Sequence, residues 1–354
     1  MFLNDTEQNP GGFSKSRDEQ QNDLIATARL THGHLKDSVS SLQFEVGNLC
    51  NLKCRMCNPG FSSQIERDVV HRKWDYTYTH NNTDEGNANK KSSTNQKHWH
   101  EQPDFIVSNM IEKMANDKIV SVIGGEPLFS ESLKTALKIL VERGTSNDIH
   151  LHISTNGTTL SAEWLSILRE FKLLSLAISI DGLGNKFNYI RYPAQFSRLE
   201  RTIPEFISLG NARIMAAPTI QAYNTLDLVE LYQSFTASGF NINNFMNILE
   251  IPHFLSPRIL PPGARKIASD RLFEYADSDC PRESAPSMIE LANSLVNMGD
   301  EYDFDLLQEF MEFTNDLDVS RGQNFAHTFP ELFHYIEDTG FTWTSKTRFA
   351  NALS

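Results

Sequence analysis

From residue 41 to about residue 251 the sequence repeats one unit roughly six times: an apolar strand, a polar loop, then an amphipathic helix. SLQFEV (41–46), IVSVI (119–123), IHLHIS (149–154), LSLAISI (174–180), RIMAAPTIQ (213–221) and the segment 245–251 read as the strands. Leu133, Ala136, Leu137, Leu140 and Val141 recur at helical spacing, and Gly144 stops them. Further helices are predicted over 105–114, from a cap at Ser161 through Phe171, over 199–207, and after a cap at Thr225. Successive parallel strands require right-handed crossovers, so the pattern leads to a parallel sheet curved into a full or partial barrel. Every chemically loaded loop follows a strand, which is where α/β folds place their sites.

The flanks read differently. Residues 1–38 are polar and Gln-rich, as a weakly ordered lead-in would be. The barrel unit is expected over 39–260, interrupted at about 58–104 by a stretch rich in Asn, Thr and Lys that reads as a surface excursion or lid. Beyond it, 261–354 turns helical, with Leu306, Leu307, Phe310 and Leu317 as one stripe of core packing. The 354 residues are 40% hydrophobic and 10% aromatic, enough for a real core. A net charge of −13 argues against binding a phosphate backbone, so no nucleic-acid partner is expected. The start lacks the basic and apolar regions of a secretory signal, and no apolar run is long enough to span a bilayer. A cytoplasmic protein without membrane partners is the expectation.

Three of the four cysteines, Cys50, Cys54 and Cys57, stand as C-x3-C-x2-C directly after the first strand. Such clustering does not make a disulfide framework; it points to metal in a reducing compartment. Thiolates are soft ligands suited to iron–sulfur clusters or zinc. Structural zinc closes with four ligands, commonly in C-x2-C pairs, and no second pair exists here. Three thiolates on one loop can hold three corners of a cubane cluster and leave the fourth iron open.

This motif resembles that of radical S-adenosylmethionine (radical SAM) enzymes. Within that superfamily the chain is similar to the subgroup with twitch or SPASM C-terminal extensions. The resemblance implies a partial (β/α)6 TIM-like barrel with a helical C-terminal region. It also implies a [4Fe-4S] cluster on Cys50, Cys54 and Cys57 whose open iron chelates SAM. One electron, from a donor such as flavodoxin or ferredoxin, would cleave SAM to methionine and a 5′-deoxyadenosyl radical that takes hydrogen from a peptide, protein side chain or small metabolite. Met56 stands where the family usually has an aromatic side chain near adenine.

The other loops extend the likeness. Gly124-Gly125-Glu126-Pro127 matches the GGEP motif, which implies that the glycines and Glu126 receive the SAM amino group. Ser154-Thr155-Asn156-Gly157 and Ser179-Ile180-Asp181-Gly182 resemble the STNG and SIDG segments. They imply Asn156 at the ribose and Ser179, with Arg191, at the carboxylate, which a guanidinium's planar fork suits. Gln221 and Asn224 are weaker candidates for ribose or adenine. The segments 317–325 and 329–332 look like C-terminal helices of twitch-containing relatives. Two departures stand out: only Cys280 remains where an auxiliary cluster needs several cysteines, and residues 1–40 contain none. A non-catalytic iron–sulfur protein with the same fold is therefore the alternative. His98 and His100, like His32 and His34, read as solvent-facing pairs, and Cys280 as a lone thiol.

Overall fold

The computed structural model describes residues 39–74, 98–114, 118–242, 247–299 and 303–350, with the single residue Arg29. The predicted lead-in, His32 and His34, and the middle of the polar insertion (75–97) lie outside them. The strands are β1 (Ser41–Glu45), β2 (Lys118–Ile123), β3 (Ile149–Thr155), β4 (Leu173–Ile178), β5 (Ala212–Ala216), β6 (Thr219–Ile220), β7 (Asn241–Ile242) and β8 (Asn247–Ile248). Six form one all-parallel sheet in the order β1-β2-β3-β4-β5-β7, the strand set of a partial (β/α)6 barrel. β6 and β8 form a separate parallel pair. One face of the sheet is closed to water, with Val120, Val122, Leu151, Ile153, Leu174 and Leu176 at 0% exposure. Each such side chain contributes about 1.5–3 kcal/mol through burial.

The helices are α1 (Ser63–Glu66), α2 (Glu131–Glu142), α3 (Ala162–Leu168), α4 (Gly184–Ile190), α5 (Phe196–Ile207) and α6 (Leu228–Ala237). The helical C-terminal region holds α7 (Pro262–Asp277), α8 (Ala285–Val296), α9 (Phe304–Arg321), α10 (Phe325–Thr328) and α11 (Pro330–Glu337). Local chemistry sets their ends. Ser130 caps α2 by accepting from the Leu133 N–H, and Gly144, at φ 72°, ends that segment. Among the described residues no helix is long and apolar enough to cross a membrane.

Several boundaries correct the sequence reading. Ser161 caps α3 as predicted, but the helix stops at Leu168 because tighter turns (Glu170 to Ile167, Phe171 to Leu168) replace the helical ladder. The predicted fifth strand breaks between Ala216 and Thr219, where Pro218 has no N–H to donate. Thr225 is no cap: its hydroxyl donates to the Gln221 carbonyl, and a 3-10 turn, Thr225–Asp227, leads into α6. Instead of a regular helix over 105–114 there is a short turn, Pro103–Phe105, continued as a π-helix, Ile106–Ile111. Only β8 falls within the predicted strand 245–251, and β7 has no apolar run to announce it.

The near end of the insertion is part of the core. Trp74 packs against Phe254, Phe313 and Phe349, and its Nε1 donates to Asp316 of α9 at 2.9 Å. The predicted stripe on α9 is buried at Leu307, Phe310 and Leu317, whereas Leu306 is half-buried. The C-terminal region meets the barrel through rings: Tyr223 lies 5.0 Å from Phe310, and Tyr189 lies 5.3 Å from Phe329.

Candidate functional site

β1 and β2 end side by side, and the chain beyond them is sewn together. Val46 donates to the Ile123 carbonyl, Gly125 to Gly47 and Glu126 to Leu49, at 3.0, 2.8 and 2.8 Å. A Cβ on Gly125 would stand 2.5 Å from the Leu49 oxygen, and one on Gly124 (φ 133°) would stand 2.9 Å from that of Gly47. The glycines are thus required for the loop to close on the segment entering Cys50, apart from any approach to a ligand. Glu126 is stitched in below them. Its carboxylate accepts from Leu128 N (3.0 Å), Thr155 Oγ1 (2.7 Å) and Asn156 N (2.7 Å). Burial pushes its pKa up against those donors. Glu126 does not line the cavity beside the cysteines; its carboxylate braces the loop after β2 to the end of β3 and the loop beyond it.

The cysteine loop is held from several directions. Lys53 N donates to the Tyr192 carbonyl at 2.6 Å and Arg55 N to that of Ile190 at 2.9 Å. Cys50 N donates to Ser63 Oγ, and Ser62 Oγ to the Leu52 carbonyl, so α1 backs the loop. Leu52 N donates to the Cys50 sulfur at 3.4 Å. Burial pushes the Cys50 thiol up to about 12, with the Cys54 charge adding to it. Burial likewise raises Cys54 and Cys57; at Cys54, Arg191 and Arg321 pull the other way. Metal binding to such thiols would release their protons.

Cys50, Cys54, Cys57 and Met56 share a cavity of about 300 Å³ with Gly124, Gly125, Asn156, Ser179 and Arg191. The predicted site residues, Glu126 and the weaker candidates Gln221 and Asn224 excepted, therefore meet at one place above the strand ends. Among the described residues no three His, Cys, Asp or Glu side chains converge on a single ion. Three thiols set along one cavity suit a multi-iron cluster, each of whose corners takes its own thiolate. A lone zinc draws four ligands to one centre. The donor set thus fits the cluster.

Arg191 Nε stands 2.7 Å from Asp181 Oδ2, and its Nη1 stands 3.9 Å from the Cys54 sulfur. Burial works against its charge, and Asp181 together with Cys54 and Cys57 more than restores it. Asp181 is itself fully buried and accepts from Thr219 N at 2.7 Å. The Asn156 amide is committed within the protein: its Nδ2 donates to Asn51, and its oxygen accepts from the Thr158 N–H and hydroxyl. Ser179 N donates to the Thr155 carbonyl. Gln221 and Asn224 lie outside the cavity lining; Asn224 instead ties the Asp181 and Thr219 carbonyls together.

Sequence reasoning passed over Asn51, Asp181 and Thr158 as supports. It also passed over the polar face of the sheet. Register aligns Gln43, Ser121, His152, Ser175 and Arg213 across five strands. Ile123 and Ser154, which line the cavity, lie two residues further along β2 and β3 on that same face. His150 Nε2 is 2.8 Å from Ser175 Oγ, while the buried His152 Nε2 has no partner among the described residues. The signal was present as alternation in His150, His152 and Ser154. His98 and His100 stack on each other near Gly47, and Cys280 does not line the cavity.

The family model of the Radical SAM superfamily matches residues 44–216. No curated protein matches the sequence. Among solved structures, the chain is similar to native anSMEcpe with bound AdoMet and Cp18Cys peptide: 19% identity, 70% of this chain, 62% of that chain, TM-score 0.46. It is also similar to Streptococcus suis SuiB bound to S-adenosylmethionine: 16% identity, 74% of this chain, 53% of that chain, TM-score 0.42. SuiB bound to precursor peptide SuiA matches at 18% identity, over 93% of this chain and 60% of that chain, with TM-score 0.41. The chain therefore spans between 53% and 62% of the length of these three structures.

Proposed function

We propose that this chain, which carries a radical SAM superfamily domain over residues 44–216, holds a [4Fe-4S] cluster on Cys50, Cys54 and Cys57 with SAM beside it, and starts hydrogen abstraction from a peptide, protein side chain or small metabolite. The observation that carries the reading is the meeting of three thiols, the Gly124–Gly125 backbone and the Arg191 guanidinium around one cavity. When bound, the two cofactors supply one-electron reductive cleavage of SAM and hence the hydrogen-abstracting radical. A low-potential donor such as flavodoxin or ferredoxin would be the partner.

The chain's own residues have definable tasks. The Leu52 N–H donates to the Cys50 sulfur and so favours its thiolate form. Asp181 fixes Arg191 by its Nε edge, which leaves the other edge facing the cavity for a carboxylate. Gly124 and Gly125 put bare backbone at the wall, and Glu126 locks that backbone to the Asn156 loop. Met56 offers a polarizable side chain where adenine would lie.

The experiment is anaerobic reconstitution with iron and sulfide, reduction, addition of SAM and assay for 5′-deoxyadenosine, with Cys54→Ala as control. Product from the wild type and none from the variant is the expected result. A well-loaded cluster that gives no product would favour the non-catalytic iron–sulfur reading. Zinc in place of iron, with no charge-transfer absorbance, would end both.

A further inference from the structure

Arg321 ends α9 in the C-terminal region, yet its guanidinium is delivered to the back of the cysteine loop. Nη2 is 2.9 Å from His71 Nδ1, and because arginine can only donate, that ring nitrogen is the acceptor. The guanidinium lies over the Tyr192 ring, 5.0 Å from its centroid, and the Tyr192 carbonyl in turn receives the Lys53 N–H next to Cys54. The residue as a whole is half-buried, and its Nε and Nη1 are sealed from water and have no hydrogen-bond partner among the described residues.

A buried cation of this kind is costly unless something compensates it. The neighbouring arginines are already matched: Arg55 has Asp318 at 2.6 Å, and Arg191 has Asp181 at 2.7 Å. Asp68, the nearest acidic influence on Arg321, is held by Lys53 at 3.0 Å and by the Val70 and His71 N–H groups. Burial and the Arg55 charge pull the Arg321 pKa down to about 10, as expected of a cation short of counter-charge.

We infer that the Arg321 guanidinium, which has no carboxylate partner among the described residues, is the counter-charge for the negatively charged cluster on the cysteine loop, and that it raises the potential at which the cluster accepts its electron. The inference rests on the cluster reading above. Three thiolates and four sulfides outweigh the positive charge of the irons, and one-electron reduction makes the centre more negative still. A fixed cation behind Cys54 therefore stabilises the reduced form more than the oxidised one, and net charge is one of the protein's levers on cluster potential. Arg321 touches neither cluster nor substrate; it is a positioning charge, brought in by the C-terminal helices.

The test uses the full chain, reconstituted anaerobically, with Arg321→Met and Arg321→Lys. The midpoint potential is read by titration with dithionite, a one-electron reductant in this use, followed by electron paramagnetic resonance. Iron and sulfide content and the melting temperature of the metal-free protein are measured alongside. Arg321→Met should shift the potential to more negative values, and Arg321→Lys should hold it near that of the wild type. The metal-free Arg321→Met protein should melt no lower than the wild type, because it loses an uncompensated buried charge. If Arg321→Met does not load, loading of Arg321→Lys at wild-type potential still supports the inference. An unshifted potential in a loaded Arg321→Met protein overturns it. So does failure of both variants to load beside a loaded wild type, or a lowered melting temperature with an unchanged potential; either marks the residue as a cap on α9. A wild type that takes up no cluster removes the functional reading itself, and that is seen before any variant is made.

Discussion

Two buried arginines serve the cysteine loop, Arg191 from outside it and Arg55 from within it, and they are built differently. On the cavity side, Arg191 has one strong partner, Asp181, and turns a second edge toward Cys54. On the far side, Arg55, fully buried, is gripped by many groups. It donates to the Tyr189 carbonyl, the Tyr223 hydroxyl, Asp318 and Gln323, and its guanidinium sits 3.6 Å from the centroid of the Tyr189 ring. A group that must meet a ligand keeps an edge in reserve. A group that holds two regions together has none to spare.

Substitutions should separate the two kinds of site. The largest effect is expected for Arg55→Met, at about 3–5 kcal/mol of lost stability in denaturant unfolding, because it strands Asp318 and the surrounding acceptors. Adding Asp318→Asn should recover less than half, since the Tyr189 carbonyl and Gln323 still lack their donor. Arg191→Met should also cost about 3 kcal/mol by stranding Asp181, but here Asp181→Asn should restore most of it. That double variant should load iron and sulfide yet form no 5′-deoxyadenosine. Equal recovery in the two double variants, measured by the same unfolding titration, would erase the distinction between network and pair.

Trp74→Phe keeps the ring contacts but removes the donor to Asp316, a charge-assisted bond worth about 1.5–3 kcal/mol. The loss should sit at the lower end, because Asp316 still accepts from the Arg348, Phe349 and Ala350 N–H groups. The smallest effect is one of pH. Burial, with Arg321 beside it, holds His71 neutral well below the usual histidine range, and burial lowers His150 and His152 as well. The unfolded chain then binds more protons than the folded one as pH falls below about 6.5, so stability declines there and is flat above. Each such histidine adds a slope of at most about 1.4 kcal/mol per pH unit. His71→Gln should remove one share of that slope in unfolding curves between about pH 5 and 7.

The barrel was legible because its evidence is local. Strand and helix periods, Ser161 as a cap, and Gly144 as a stop are each set within a few residues. The cysteines and the Gly124–Gly125 pair were legible as motifs, but their reasons were only half visible. The glycines answer to the Gly47 and Leu49 carbonyls across a seam whose two sides lie more than seventy residues apart in sequence. Glu126 read as a ligand by its type; its bond from Leu128 N is local, whereas those from Thr155 and Asn156 cross about thirty residues that no local pattern links. Trp74 looked like part of a polar excursion because its partners, Phe254, Phe313 and Phe349, are remote in sequence. β7 escaped because two residues carry no period at all.

The bond between Arg55 and Asp318 joins residues 263 positions apart. At synthesis rates of about 5–20 residues per second, the partner emerges from the ribosome roughly 13 to 53 s after the thiols do. Throughout that interval the cysteine loop lacks its far anchor, so a nascent chain offers sulfurs without their final spacing. If the chain holds the proposed cluster, loading with iron belongs after translation, and a delivery system that waits for the finished helical region would avoid trapping metal on half-made protein.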